Sequence, residues 1–123
     1  MIIDYFKEVK DTIQNFAHII TDFSTQEKTY SDEKGFINGE LFFVDDSKLD
    51  FAEVKEMGQE SKIKYRYHYM DEEKKLIFRY DNAKHYPNLS TFPNHKHTPQ
   101  GVIESEAPNM EMILKEIEAI VVD

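Results

Sequence analysis

Residues 62–81 read KIKYRYHYMDEEKKLIFRYD and carry the clearest structural pattern in the sequence. Apolar and polar side chains alternate strictly before the turn-forming residues at 71–74, with the two-residue period of a β-strand that buries one face. The apolar positions are Ile63, Tyr65, Tyr67 and Tyr69, and the polar positions are Lys62, Lys64, Arg66 and His68. Residues 75–81 repeat the alternation, so the whole stretch predicts an antiparallel hairpin.

The register of this hairpin follows from the length of its turn. A four-residue loop at 71–74 pairs Met70 with Lys75, and strict alternation then sets Arg66 opposite Arg79. These are the only two arginines in the sequence. Because like charges directly across two strands are unfavourable, this register indicates an anion or an acidic group between the two guanidinium groups.

Amphipathic helices are predicted at both ends of the chain. From Ile2 to Phe23, apolar residues recur three or four positions apart and fall on one helical stripe. Near the other end, Pro108 and Asn109 provide the chemistry of a helix start, and an apolar stripe follows as far as Val121.

The segments between the first helix and the hairpin add further strands. A polar stretch at 24–35 precedes segments 35–47 and 48–57, which predict two strands separated by the turn-forming DDS at 45–47. We therefore expect an α+β fold, in which an antiparallel sheet of about five strands is packed by N-terminal and C-terminal amphipathic helices. A chain of 123 residues is expected to form one domain, 1–123.

Composition restricts the classes of function. The net charge of -9 argues against nonspecific electrostatic binding to nucleic acid or to an anionic membrane. The absence of cysteine excludes disulfides, zinc–thiolate sites and a thiol nucleophile. No apolar run approaches the roughly 20 residues that cross a bilayer, and the charged N-terminal segment is unlike a signal peptide. We expect a cytoplasmic protein without a membrane partner.

Charge is nevertheless divided unevenly along the chain. Residues 62–97 have a net charge of +4, which leaves -13 for the remainder, and they contain four of the five histidines. Within them, RYDNAKHYPNLSTFPNHKH at 79–97 resembles a long polar loop, which is uncommon in a small domain unless it has a function. The sequence therefore predicts a local basic surface that can hold phosphate.

The same region is similar to the TumE-like family, whose members are regarded as toxins of type II toxin–antitoxin pairs. The words that carry the resemblance are YRYHY at 65–69, LIFRYDNA at 76–83, HYP at 85–87, TFPNHKH at 91–97 and PNM at 108–110. The resemblance implies a toxin that a cognate antitoxin binds and silences, with cellular RNA or translation as its target. It defines no reaction, and it covers about half of the chain.

A small, metal-independent ribonuclease is the chemistry that we favour for such a target. It requires a base, an acid and cations that stabilise the phosphate, and histidine suits the first two near neutral pH. The candidate catalytic residues are His85, His95, His97 and Asp81, of which Asp81 would orient a histidine or an arginine. The candidate residues for phosphate and RNA are Arg66, Arg79, His68, Lys64 and Lys96. No cofactor is expected. Tyr86 and Phe92 could stack on RNA bases if their rings are exposed. Tyr67 is assigned to the core, because it lies on the apolar side of the alternating pattern.

Other interpretations stay open. The arginines can form a solvated salt-bridge network, and the loop histidines can simply hold an irregular backbone. His95 and His97 also form an H-x-H pair that could bind a metal, completed by His85 or Asp81. A non-enzymatic binding module, which inhibits a target or binds its antitoxin through the basic hairpin face and the 81–97 loop, fits the same residues. The sequence leaves the oligomeric state open, a homodimer included.

Overall fold

The computed structural model of the chain describes residues 1–122, and it has an α+β fold. The helices are α1 (Ile2–Gln14), a short 3-10 turn (Ala17–Ile19) and α2 (Met110–Val121). The strands are β1 (Ile20–Thr29), β2 (Lys34–Phe43), β3 (Lys48–Glu56), β4 (Lys64–Met70), β5 (Leu76–Asp81), β6 (His95–Thr98) and β7 (Gly101–Glu104). Each strand pairs antiparallel with the next, so they form one sheet in sequence order.

Both helices pack on the same face of this sheet. Alternate residues of β2 to β5 point toward them, and the buried core contains Ile37, Leu41, Phe51, Tyr67, Tyr69 and Phe78 together with Phe6, Ile13, Ile113 and Leu114 from the helices. The predicted α+β arrangement is confirmed, although the sheet has seven strands in place of about five. In residues 1–122 we find no helix with the length and apolar character that crossing a membrane requires.

The C-terminal helix begins where its sequence predicts. The Oδ1 atom of Asn109 accepts a hydrogen bond from the backbone N–H of Met112 at 2.9 Å, which satisfies one free donor of the first turn. The buried residues of α2 lie on the predicted stripe. Asp123, the last residue of the predicted helical segment, lies outside the described residues.

The N-terminal helix is shorter than predicted. It ends at Gln14, and the chain continues through the short 3-10 turn into β1. The three-residue spacing of Ile20 and Phe23 is that of a helix, but in β1 a bulge between Ile20 and Asp22 brings both side chains to one face of the sheet. Periodicity alone therefore led to the wrong assignment here. The polar residues 24–29 belong to β1, which is an edge strand and exposes most of its side chains.

The hairpin forms, but the predicted register is wrong by two residues. Lys74 adopts a positive φ of 64°, which makes a three-residue loop, and a bulge at Ile77 adds a second shift. Two shifts of one residue keep every side chain on its predicted face. Arg66 therefore lies opposite Asp81 and not opposite Arg79, so the two arginines do not need an anion between them.

The predicted loop at 79–97 is also partly a strand. Residues 95–98 form β6, which pairs with β5 and then with β7. A polar segment of mixed charge does not reveal this pairing, because its strand is short and follows an irregular stretch. The pairing sets His97 opposite Arg79 and His95 opposite Asp81, and thereby builds the site described below.

A close approach in the middle of the sheet predicts the effect of one substitution. A Cβ atom at Gly39 would lie 2.4 Å from the carbonyl oxygen of Ser24 and 2.8 Å from the ring of Phe51. We expect Gly39→Ala to lower the free energy of unfolding by about 1–3 kcal/mol, because neither neighbour can move without disturbing the sheet. Urea unfolding measures this, with the exposed Ser24→Ala as a near-neutral control; equal stability of the two variants would contradict the packing.

Candidate active site

The face of the sheet that carries no helix presents a cluster of ionisable side chains. Strand pairing places two rows across β3 to β6 on this face. The first row is Asp50, His68, Arg79 and His97, and the second row is Ala52, Arg66, Asp81 and His95. Neighbouring strands lie about 4.8 Å apart, so each side chain lies beside the next. Direct contacts join Arg79, Asp81, His95 and His97, at β5 and β6.

Asp81 is the centre of the cluster. Its Oδ1 atom accepts a hydrogen bond from the Ala83 N–H at 3.0 Å, and its Oδ2 atom accepts one from Arg79 Nε at 2.9 Å. The side chain is only 6% exposed. Burial alone would raise the pKa of Asp81, but the hydrogen bonds from Ala83 and Arg79 and the charge of Arg79 outweigh it and lower the pKa. The carboxylate is therefore ionised at neutral pH.

The two histidines of β6 lie against this carboxylate. His95 is 1% exposed, and its Nε2 atom lies 2.9 Å from Asp81 Oδ1. His97 Nε2 lies 3.1 Å from His95 Nε2 and 3.4 Å from Asp81 Oδ2. The ring of Tyr86, from the loop before β6, packs edge-on against both imidazoles, with centroid distances of 4.8 and 5.9 Å. His97 is 26% exposed, so it forms the solvent edge of the cluster.

The other accessible histidine of this face lies across Arg79. His68 is opposite Arg79 in the register, and its Nδ1 atom is buried without a hydrogen-bond partner among the described residues. Burial, followed by the charge of Arg79, lowers the pKa of His68. Its imidazole is therefore neutral at pH 7. His68, Arg79 and His97 thus stand in one row, with the guanidinium in the middle.

Two open cavities adjoin the cluster on the same face, and Asn38 and Arg66 line both of them. One, of about 310 Å³, is lined by aromatic and cationic side chains that include Tyr30, Phe36 and Lys64. The other, of about 390 Å³, has a polar lining. An elongated ligand that reaches Arg79 therefore has room to continue past Arg66.

The structure brings together Asp81, His95, His97 and Arg79 from the set that the sequence predicted. Three further predicted residues, His68, Arg66 and Lys64, lie on the same face of β4. No sequence pattern indicated that Tyr86 would pack against the histidines or that the Pro93 carbonyl would accept a hydrogen bond from His95, because both contacts depend on how the loop folds back.

The remaining predicted residues lie elsewhere. His85 is exposed in the loop, and its ring lies edge-on to that of Tyr86, with ring centroids 6.4 Å apart. Lys96 lies on the helix-covered face, where its Nζ atom contacts Glu116 at 2.8 Å. Tyr67 is fully buried, as parity predicted. Phe92 is 40% exposed.

Comparison with known proteins gives the site its context. The family described as Toxin TumE matches residues 9–122, which include every residue of the cluster. No curated protein and no solved structure matches the chain. The resemblance seen in the hairpin and loop thus extends over most of the sequence, and the chain belongs to the TumE toxin family.

Proposed function

We propose that the protein is a toxin that cleaves RNA at the helix-free face of its sheet. Membership of a toxin family implies an antitoxin partner. The observation that carries the proposal is the row formed by His68, Arg79 and His97, in which a fixed guanidinium stands between two imidazoles. We place this activity in the cytoplasm, where RNA is accessible.

The row suits the transfer of a phosphoryl group. Arg79 holds the phosphate, and His68, whose lowered pKa leaves it neutral, takes the proton of the 2′-hydroxyl. The O2′–P bond forms while the P–O5′ bond breaks on the opposite side. The departing 5′ oxygen takes up a proton from His97, the solvent-facing member of the group formed by Asp81, His95 and His97. The products are a 2′,3′-cyclic phosphate and a 5′-hydroxyl, and no water is consumed.

The surroundings of the row favour a single strand of RNA. Arg66 lies opposite Asp81 and also lines the aromatic cavity that contains Phe36 and Lys64. Cations next to an aromatic platform are the usual means of holding unpaired nucleotides. The cationic contacts are local, which agrees with the acidic total charge of the chain.

We expect His68→Gln and His97→Gln each to lower the rate of RNA cleavage by about 10²–10⁴-fold, because each removes a group that serves proton transfer. His85→Gln is the matched control, since this histidine is exposed and lies outside the cluster. The rates are measured with antitoxin-free protein on single-stranded RNA, and circular dichroism checks the fold. Equal loss in all three variants would speak against the row as the active site.

A binding module that blocks its target without cleavage is the competing function. It uses the same arginines and aromatic residues, but it needs no proton transfer. In that case His68→Gln and His97→Gln would stay toxic in cells at normal expression, and RNA incubated with the protein would remain intact.

A further inference from the structure

We propose that Asp81, His95 and His97 bind a divalent transition-metal ion. One carboxylate oxygen and one nitrogen from each imidazole lie within 4.8 Å of one another, and all three come from the adjacent strands β5 and β6. Two imidazoles and one carboxylate are a common set of ligands for such ions. The ribonuclease proposal assigns the ion its role, but the binding site itself rests on the geometry alone.

The separations between the ligand atoms fit a shared ion. Ligands about 2.0–2.1 Å from a metal lie about 2.9–3.4 Å from one another in octahedral or tetrahedral geometry. His95 Nε2 lies 2.9 Å from Asp81 Oδ1 and 3.1 Å from His97 Nε2. His97 Nε2 lies 3.4 Å from the second carboxylate oxygen. Oδ1 and the two Nε2 atoms can thus approach one ion, since His95 Nε2 already lies at ligand separation from both of the other side chains and all three ligand atoms lie within 4.8 Å.

The hydrogen-bonding partners of His95 leave a place for a metal ion between its Nε2 atom and Asp81. Its Nδ1 atom lies 2.9 Å from the carbonyl oxygen of Pro93, which can only accept, so Nδ1 carries the hydrogen. In the neutral imidazole, Nε2 then directs a lone pair at Asp81 Oδ1, which is also an acceptor. Two acceptors in contact need either a second proton or a metal ion between them, and His97 Nε2 at the same point favours the metal.

The groups behind the ligands are those that orient metal ligands in proteins. A backbone carbonyl fixes the tautomer of His95, and the Ala83 N–H and Arg79 Nε fix the carboxylate. The positive charge of Arg79 repels a nearby cation. However, Arg79 Nε donates its hydrogen bond to Asp81 Oδ2, so Oδ1, which faces His95, remains able to bind the ion. His95 and Asp81 are buried whereas His97 reaches solvent, so an ion held here would be approached from the side of His97, on the helix-free face of the sheet.

The bound ion has a defined role in the proposed reaction. His97 is then a ligand, and a water on the ion gives the departing 5′ oxygen its proton. The ion also stabilises the negative charge that develops on that oxygen as the P–O5′ bond breaks. His68 remains the base on the other side of Arg79. Cleavage by this mechanism is lost when a chelator removes the ion, in contrast to the metal-independent mechanism expected from the sequence.

The experiment is calorimetric titration of chelator-treated protein with Zn²⁺ and with Mn²⁺, in the absence of RNA. We expect about one ion per chain. His97→Gln should weaken the affinity at least about tenfold, whereas His85→Gln should bind as the wild type does. Mg²⁺, which prefers oxygen ligands, should bind much more weakly. X-ray absorption of the zinc-loaded wild type, which needs no variant, should show nitrogen and oxygen ligands at about 2.0–2.1 Å.

Failure of the metal site is distinguishable from failure of the ribonuclease proposal. No binding of Zn²⁺ or Mn²⁺ by the wild type, or equal binding by His97→Gln, would overturn the site, and a protonated His95 would then explain the contact with Asp81. If such a protein still cleaves RNA, the proposed function stands without the metal. If an ion binds at these residues but RNA stays intact, the site stands and the ribonuclease proposal fails.

Discussion

Replacing Asp81 by asparagine is expected to reduce RNA cleavage by about 10³–10⁴-fold while the chain stays folded. Asp81 contacts Arg79, His95 and His97 at once and is almost completely buried. Asparagine keeps the shape of the side chain but loses its negative charge. Arg79 then loses its ionic partner and His97 its orientation, so both the phosphate site and the proton site are disturbed.

This loss is measured as the initial rate of cleavage of a single-stranded RNA by antitoxin-free protein, with circular dichroism to show that the fold is kept. Asp46→Asn is the matched control, because Asp46 is exposed and has a φ of 68°, a conformation that asparagine also adopts. We expect the control to cleave at the wild-type rate. An Asp81→Asn protein with near-wild-type activity would remove Asp81 from the centre of the site.

The largest expected loss of stability comes from Glu53→Ala, on the helix-covered face of the sheet. Glu53 is 1% exposed and accepts hydrogen bonds from the hydroxyls of Tyr5 and Tyr67, the latter at 2.8 Å. It thereby ties α1 to β3 and β4. Burial, together with the carboxylate, raises the pKa of both Tyr67 and Tyr5 well above the usual range, so both tyrosines stay protonated donors. Alanine leaves two hydroxyls without an acceptor and adds a cavity.

We expect Glu53→Ala to lower the free energy of unfolding by about 2–5 kcal/mol, a large part of the roughly 5–15 kcal/mol typical of a small domain. Urea unfolding gives the value. Glu53→Gln keeps one acceptor oxygen and should lose less, while the exposed Glu60→Ala should change stability little. If Glu53→Ala proved as stable as Glu60→Ala, the tyrosine–glutamate network would not be a stabilising feature.

The sequence predicted those parts of the fold that depend on local pattern. Alternation in β4 identified its buried tyrosines, and Asn109 marked the start of α2, because burial and capping act within a few residues. The register of the hairpin could not be predicted. It depends on Lys74 adopting a positive φ and on the bulge at Ile77, and neither residue type signals such a conformation.

The candidate site was predictable as a set of residues but not as an arrangement. The sequence identified the basic and histidine-rich region as the candidate site. However, β6 is only four residues long and polar, so its pairing with β5 could not be predicted from the sequence. That pairing is what brings His95 and His97 onto Asp81 and Arg79. It also turns Lys96 to the helix-covered face, since neighbouring strand residues point in opposite directions.

The most direct test of the central claim is to map new RNA ends after incubating total cellular RNA with the purified, antitoxin-free protein. We expect wild type and His85→Gln to produce the same set of 5′-hydroxyl ends, and Asp81→Asn to produce none above background. Intact RNA with the wild type, under conditions in which the protein is toxic in cells, would contradict RNA cleavage as its function. New ends that persist in Asp81→Asn would place the cleavage outside this site.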